Sequence, residues 1–185
     1  MKKISYPILA ALIGIIALSA KAQTSTLKQT FFPKGTILYG DINYAGDTLK
    51  KHLLDIYLPP VVKESYPVII WIHGGAWMLN DKYADMGYMQ KTVQGFIDNG
   101  YAVASIDYRW STTAPFPAQI QDCNQAIEFL YQNASKYKLN KDKFGVIGFS
   151  AGGHLGSLLA LSNNNNIKQF YPKGNKPHFK INYIL

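Results

Sequence analysis

Tyr66-Pro67-Val68-Ile69-Ile70-Trp71-Ile72 is apolar at almost every position, as is Tyr101-Ala102-Val103-Ala104-Ser105-Ile106-Asp107, and Phe144-Gly145-Val146-Ile147 is a shorter run of the same kind. Unbroken apolar runs of this length fit strands buried on both faces. Thr36–Tyr44 and His52–Leu58 alternate apolar and polar residues instead. The Ala45-Gly46-Asp47 turn and the polar stretch after it predict that these two strands pair antiparallel. Between the apolar runs the period changes. Met86, Met89, Val93, Phe96 and Ile97 lie on one face of a helix predicted over Tyr83–Asn99, with Gly100 just past its end. Ile120, Cys123, Ala126, Ile127 and Leu130 define a second helix, Pro117–Tyr137, with proline in its first turn. A third follows Ser150 to about Leu161, and Phe179–Leu185 reads as a sixth strand. From the third strand onward the order is β-α-β-α-β-α, which requires right-handed crossovers. The predicted class is α/β: a doubly wound, mainly parallel sheet with antiparallel N-terminal strands.

The first 22 residues fall outside that pattern. Lys2 and Lys3 precede an apolar stretch, Ile8–Leu18, and Ser19-Ala20-Lys21-Ala22 offers small residues where a signal peptidase reads them. The stretch is shorter than the roughly 20 residues a membrane span needs. The expectation is a cleaved signal peptide over 1–22, no stable membrane anchor, and a periplasmic or secreted protein. A polar leader, 23–35, then precedes the domain, 36–185. Cleavage would remove three lysines and lower the formal charge from +8 to +5. The remaining basic residues are scattered lysines with one arginine, Arg109, and form no basic stripe interleaved with aromatics, so no nucleic-acid partner is expected. Cys123, the only cysteine, sits inside the second helical pattern as a small buried hydrophobe and leaves no intrachain disulfide to form.

The candidate chemistry lies at two strand ends. Gly148-Phe149-Ser150-Ala151-Gly152 follows the Phe144–Ile147 run and opens the last helix. A serine at the tip of a strand-turn-helix is thrust out at the carboxyl edge of a sheet, and flanking glycines remove the Cβ atoms that would collide there. Ser150 is the predicted nucleophile. The third strand ends in His73-Gly74-Gly75-Ala76-Trp77, a glycine-rich segment whose backbone can supply N–H donors. Acyl transfer needs two or more such donors on one oxygen, so Gly74, Gly75, Ala76 and Ala151 are the predicted oxyanion-hole residues. No His/Asp/Glu cluster has metal-ligand spacing, and no metal or cofactor is expected.

These two motifs, with Asp107-Tyr108-Arg109, Leu54-Asp55-Ile56-Tyr57-Leu58-Pro59 and Pro115-Phe116-Pro117…Asp122, resemble the α/β-hydrolase esterase/lipase family. The branch they look most like is the secreted bacterial carbohydrate esterases of acetylxylan or feruloyl esterase type. The resemblance runs from about Leu38 to Leu185 and implies a serine carboxylesterase acting on acyl esters of small molecules or plant polysaccharides. In that family Asp107 and Asp122 would brace the Tyr108-Arg109 loop. The triad order in this fold is serine, acid, histidine. None of His52, His73, His154 and His178 fits as base: His154 is expected inside the packed helix, and His73 is expected to pin its own loop. Acid and histidine are therefore expected beyond Leu185, with the fold incomplete at its C-terminus and the chain inactive alone. A non-catalytic hydrolase-like or interaction protein is the alternative, and a serine peptidase of the same fold stands behind it.

Overall fold

The computed structural model describes residues 31–185 except 164 and 166; the expected signal peptide and most of the polar leader lie outside the described residues. β3 (Tyr66–Ile72), buried at every position but the half-buried Pro67, lies inside the sheet, where its apolar side chains are covered on both faces. It pairs parallel with β4 (Ala102–Ile106) and with β5 (Leu139–Gly148). Beyond β4, β2 (Leu53–Leu58) runs antiparallel, and β1 (Ile37–Asn43) pairs antiparallel with β2. At the other edge β6 (Ile181–Ile184) runs parallel to β5, giving the order β1-β2-β4-β3-β5-β6. The antiparallel start is as the pattern predicts.

Residue alternation along the strands separates two apolar layers. Leu54, Ile56, Val68, Ile70, Ile72, Ala104 and Val146 face α2 (Ala118–Gln132) and α3 (Ala151–Asn163), meeting Ile120, Ile127, Leu155 and Leu159. Tyr57, Ile69, Trp71, Val103 and Ile147 face the other way, toward Val93 and Ile97 of α1 (Gln90–Asp98). Helices thus cover both faces. Each fully buried Leu or Ile contributes about 1.5–3 kcal/mol relative to exposure, so the two layers together hold the strands in register.

Register fixes the functional edge. Ile72 is level with both Ile106 and Gly148. Since the three strands are parallel, the segments starting at His73, Asp107 and Phe149 all leave the sheet at one carboxyl edge, where ligands of open α/β sheets bind.

The bounds of two helices and two strands differ most from the sequence reading. The helix predicted over Tyr83–Asn99 starts only at Gln90, and 82–89 is a series of turns. Tertiary bonds take the groups a helix would use: the Ser105 hydroxyl donates to Lys82 O, and the Trp71 indole donates to Ala84 O at 3.2 Å. Lys82 itself is buried against Asp41 (2.6 Å) and Asp55 (3.4 Å). The second helix ends at Gln132 rather than Tyr137, because the Asn133 side chain donates to Phe129 O at 2.9 Å and Lys138 turns left-handed at φ 53°. That turn feeds a β5 longer than expected, and β6 is shorter.

Candidate active site

Ser150 stands alone in the turn between β5 and α3, exposed and with φ 50°, a conformation that costs a non-glycine residue about 1–3 kcal/mol. The turn is tight because strand and helix nearly touch. A Cβ on Gly152 would lie 2.0 Å from Ile72 O and 2.7 Å from His73 O, so any side chain there would drive α3 off β3. Ala151 is buried at the first position of α3, behind the serine.

The segment after β3 meets this turn directly. The position a Gly74 Cβ would take is 2.9 Å from Phe149 O. Gly75 (φ 118°), Ala76 (φ 50°) and Trp77 (φ 59°) then follow in left-handed conformations, a run that persists only where surrounding bonds impose it. Those bonds are present. Met78 and Leu79 N–H groups both donate to Gly75 O at 2.9 Å, and Ser111 N–H donates to Trp77 O at 2.8 Å. The Gly74 N–H donates to Asp85 Oδ2 at 2.7 Å. Sequence reasoning missed Asp85 because it assigned 83–89 to a continuous helix. A signal existed: Lys82 and Asp85 lie on the same 3.6-residue stripe as Met86, Met89 and Val93, and two charges on a face predicted to be buried ask for partners. Tyr88, whose hydroxyl donates to Asp85 Oδ1, is held with it, and that bond pushes its phenol pKa up to about 12.

The floor of the edge is a polar network. His73 is fully buried, stacks on Tyr108 at 4.3 Å, and has Nδ1 2.7 Å from Gly74 O; Tyr108 OH donates to His73 O at 2.8 Å. Asp107 pairs with Lys51 at 2.8 Å, and Lys51 also donates to Asn80 O. Asp122 accepts the Arg109 backbone N–H at 2.8 Å and its side chain through Nε and Nη2, bracing the Tyr108-Arg109 loop.

The four histidines have other company. His52 Nδ1 is 2.7 Å from Asp47, and its Nε2 is 3.4 Å from Asp122. His73 is engaged as above. His178 is exposed, bonded to Glu128 at 2.7 Å and stacked on Tyr131. His154 departs from expectation: it is exposed rather than packed inside α3, because the helix turns it toward solvent, where it meets the Trp77 ring edge-on at 5.3 Å. None of these partners is Ser150. Phe149, 44% exposed, lies against the Tyr88 ring at 6.0 Å, which brings an aromatic side chain from the turns before α1 onto the neighbour of Ser150.

Comparison with known proteins adds to this geometry. The BD-FAE family model matches residues 54–185. Carboxylesterase NlhH of Mycobacterium tuberculosis is 32% identical over 107 residues, which are 57% of this chain and 32% of that protein. Among solved structures, a truncated form of a carbohydrate esterase from gut microbiota superimposes with TM-score 0.73 at 33% identity, covering 82% of this chain and 57% of that one. A bifunctional GH43-CE protein of Bacteroides eggerthii does so with TM-score 0.71 at 40% identity, covering 80% of this chain and 22% of its own. The chain thus spans about a third of the curated relative and little more than half of the first structure.

Proposed function

The chain belongs to the BD-FAE family and has the α/β-hydrolase fold, and on that premise we propose that it carries the Ser150 nucleophile of a serine carboxylesterase. Acyl esters of plant polysaccharides are the proposed substrate class, a reading supported by the carbohydrate esterases among its structural relatives. The observation that carries the proposal is the left-handed, exposed Ser150 seated against the glycine-rich segment after β3. In the proposed reaction the serine oxygen attacks the acyl carbon and gives up its proton to a base. The carbonyl π-electrons move onto oxygen, which N–H groups then hold. The C–O bond to the alcohol breaks, the alcohol leaves with the proton, and water releases the acid from the acyl-serine by the same steps.

Of the expected donors Gly74, Gly75, Ala76 and Ala151, the N–H of Gly74 is already given to Asp85. The proposal therefore assigns the oxyanion to the N–H groups of Gly75, Ala76 and Ala151, with Gly74 shaping the approach. Because each histidine here has another partner, the base and its acid are assigned to residues outside these four, in the part of the relatives' length this chain does not span. Export is proposed as well, on Lys2, Lys3 and the apolar stretch to Ala22.

The test uses the full-length native protein. Ser150→Ala should abolish p-nitrophenyl acetate hydrolysis and labelling by a fluorophosphonate. The intact mass of the exported protein should correspond to a chain starting at Gln23. A wild-type protein that neither turns over the ester nor takes the label would favour the non-catalytic alternative.

A further inference from the structure

We propose that Asp85 is a positioning residue for the oxyanion donors: its carboxylate orients the peptides of Gly75 and Ala76 through Gly74, and Tyr88 ties that orientation to the serine turn. The inference rests on the functional reading above and deepens it.

Asp85 is only 8% exposed, in the turns between β3 and α1, and is itself left-handed at φ 71°. A carboxylate out of water is tolerated only when its oxygens are satisfied. Both are: Oδ2 takes the Gly74 N–H at 2.7 Å and Oδ1 takes the Tyr88 hydroxyl. A bond from a backbone N–H to an ionised acceptor is among the stronger and more directional kinds. It fixes the plane of the His73–Gly74 peptide, and the next two N–H groups follow from that plane through the left-handed turn at Gly75 and Ala76. Room beside that peptide is small, since even a Cβ at Gly74 would come within 2.9 Å of Phe149 O. Tyr88 closes the loop of contacts, because the ring whose hydroxyl holds Asp85 also rests on Phe149, the neighbour of Ser150. The two segments on either side of the serine are tied together by one carboxylate.

The turns that present Asp85 are themselves anchored at Lys82. Burial works against the charge on that lysine, but Asp55 and Asp41 outweigh it and raise its pKa, so the ion pair holds throughout the neutral range. Ser105 and Trp71 donate to the carbonyls of Lys82 and Ala84, just ahead of Asp85, which leaves it little freedom to follow a displaced Gly74.

Two variants separate positioning from bulk stability. Asp85→Ala removes the acceptor and orphans the Gly74 N–H. Asp85→Asn keeps an oxygen for Gly74 and can reverse the bond with Tyr88. In the full-length native protein, Asp85→Ala should lower kcat for p-nitrophenyl acetate about 10- to 100-fold with KM nearly unchanged, somewhat less than outright loss of one oxyanion donor. Asp85→Asn should recover most of that loss. In protein labelled with 15N-glycine, the amide signals of Gly74 and Gly75 should both shift in Asp85→Ala, with faster hydrogen exchange at Gly74. Asp85→Ala with kcat close to wild type, or with an unmoved Gly75 signal, overturns the proposal; so does an Asp85→Asn protein that folds yet is as slow as Asp85→Ala. Should Asp85→Ala fail to fold, Asp85→Ser, which is shorter and leaves Gly74 out of reach, takes its place in both measurements. If the wild type shows no Ser150-dependent turnover, the functional reading fails by itself, and the Gly75 signal alone then decides whether Asp85 orients the segment.

Discussion

His52 sits between two carboxylates, which makes it a titrating contact under the loop that Asp122 braces. Its Nδ1 faces Asp47 at 2.7 Å and its Nε2 faces Asp122 at 3.4 Å. Burial lowers its pKa, but the hydrogen bonds and charges of Asp122 and Asp47 outweigh burial and raise it above the ordinary value of about 6.5. The sign of the consequence follows from linkage. A group whose pKa is higher folded than unfolded stabilises fully below its unfolded value and loses that stabilisation as pH rises through the folded one. Comparing Tm for wild type and His52→Gln from about pH 5 to about pH 9 should therefore show the widest gap below about pH 6.5, closing toward alkaline pH. A gap independent of pH would mean that the imidazolium contributes nothing. Asp122 also holds Arg109 through three donors, so the loss of one charge at His52 leaves that brace in place.

Between elements, the closest approach in the site is α3 to β3 at Gly152. A methyl group there would lie 2.0 Å from Ile72 O and 2.7 Å from His73 O, both backbone atoms that cannot rotate aside. Gly152→Ala should destabilise by about 3 kcal/mol, the upper range for overpacking, because helix and strand must separate to admit it. Ala151→Gly, one residue earlier and without that contact, serves as the control in urea melts. Equal midpoints for Gly152→Ala and wild type would show that the helix yields freely. That glycine was legible in the sequence, as were the strands, the antiparallel first pair and the two motifs, because each rests on local pattern: an apolar run, a turn, a glycine pair, a serine after a strand. The Lys82–Met89 turns were not. Their geometry comes from Asp41, Asp55, Trp71 and Ser105, on four different strands, and helical periodicity carries no information about such distant partners. For the same reason Asp85 stayed hidden while the glycines it holds were plain, and His154 was assigned to the interior of a helix whose exposed side the pattern could not fix.

At the scale of the whole molecule the two sheet edges differ. β1 at one edge carries Asp41, whose carboxylate pairs with Lys82 and whose backbone N–H donates to Asp55 Oδ1. β6 at the other edge reads Ile181-Asn182-Tyr183-Ile184 without a charge, and Ile184 and Leu185 are 47% and 59% exposed. Beside it Ile69, Phe96, Tyr101, Tyr183 and Leu185 line an open groove of about 520 Å³. An uncharged edge strand presents unpaired N–H and C=O groups to any other chain, and natural edges are usually protected by charge, proline or a covering element. The 23–185 polypeptide should therefore self-associate through β6, with an average mass by light scattering that rises with concentration. Ile184→Lys places a charge on that edge without touching the buried layers, and should return the mass toward that of a monomer while leaving the thermal midpoint unchanged. If the unsubstituted polypeptide stays monomeric across the concentration range, or if Ile184→Lys associates as strongly as before, the β6 edge does not drive association.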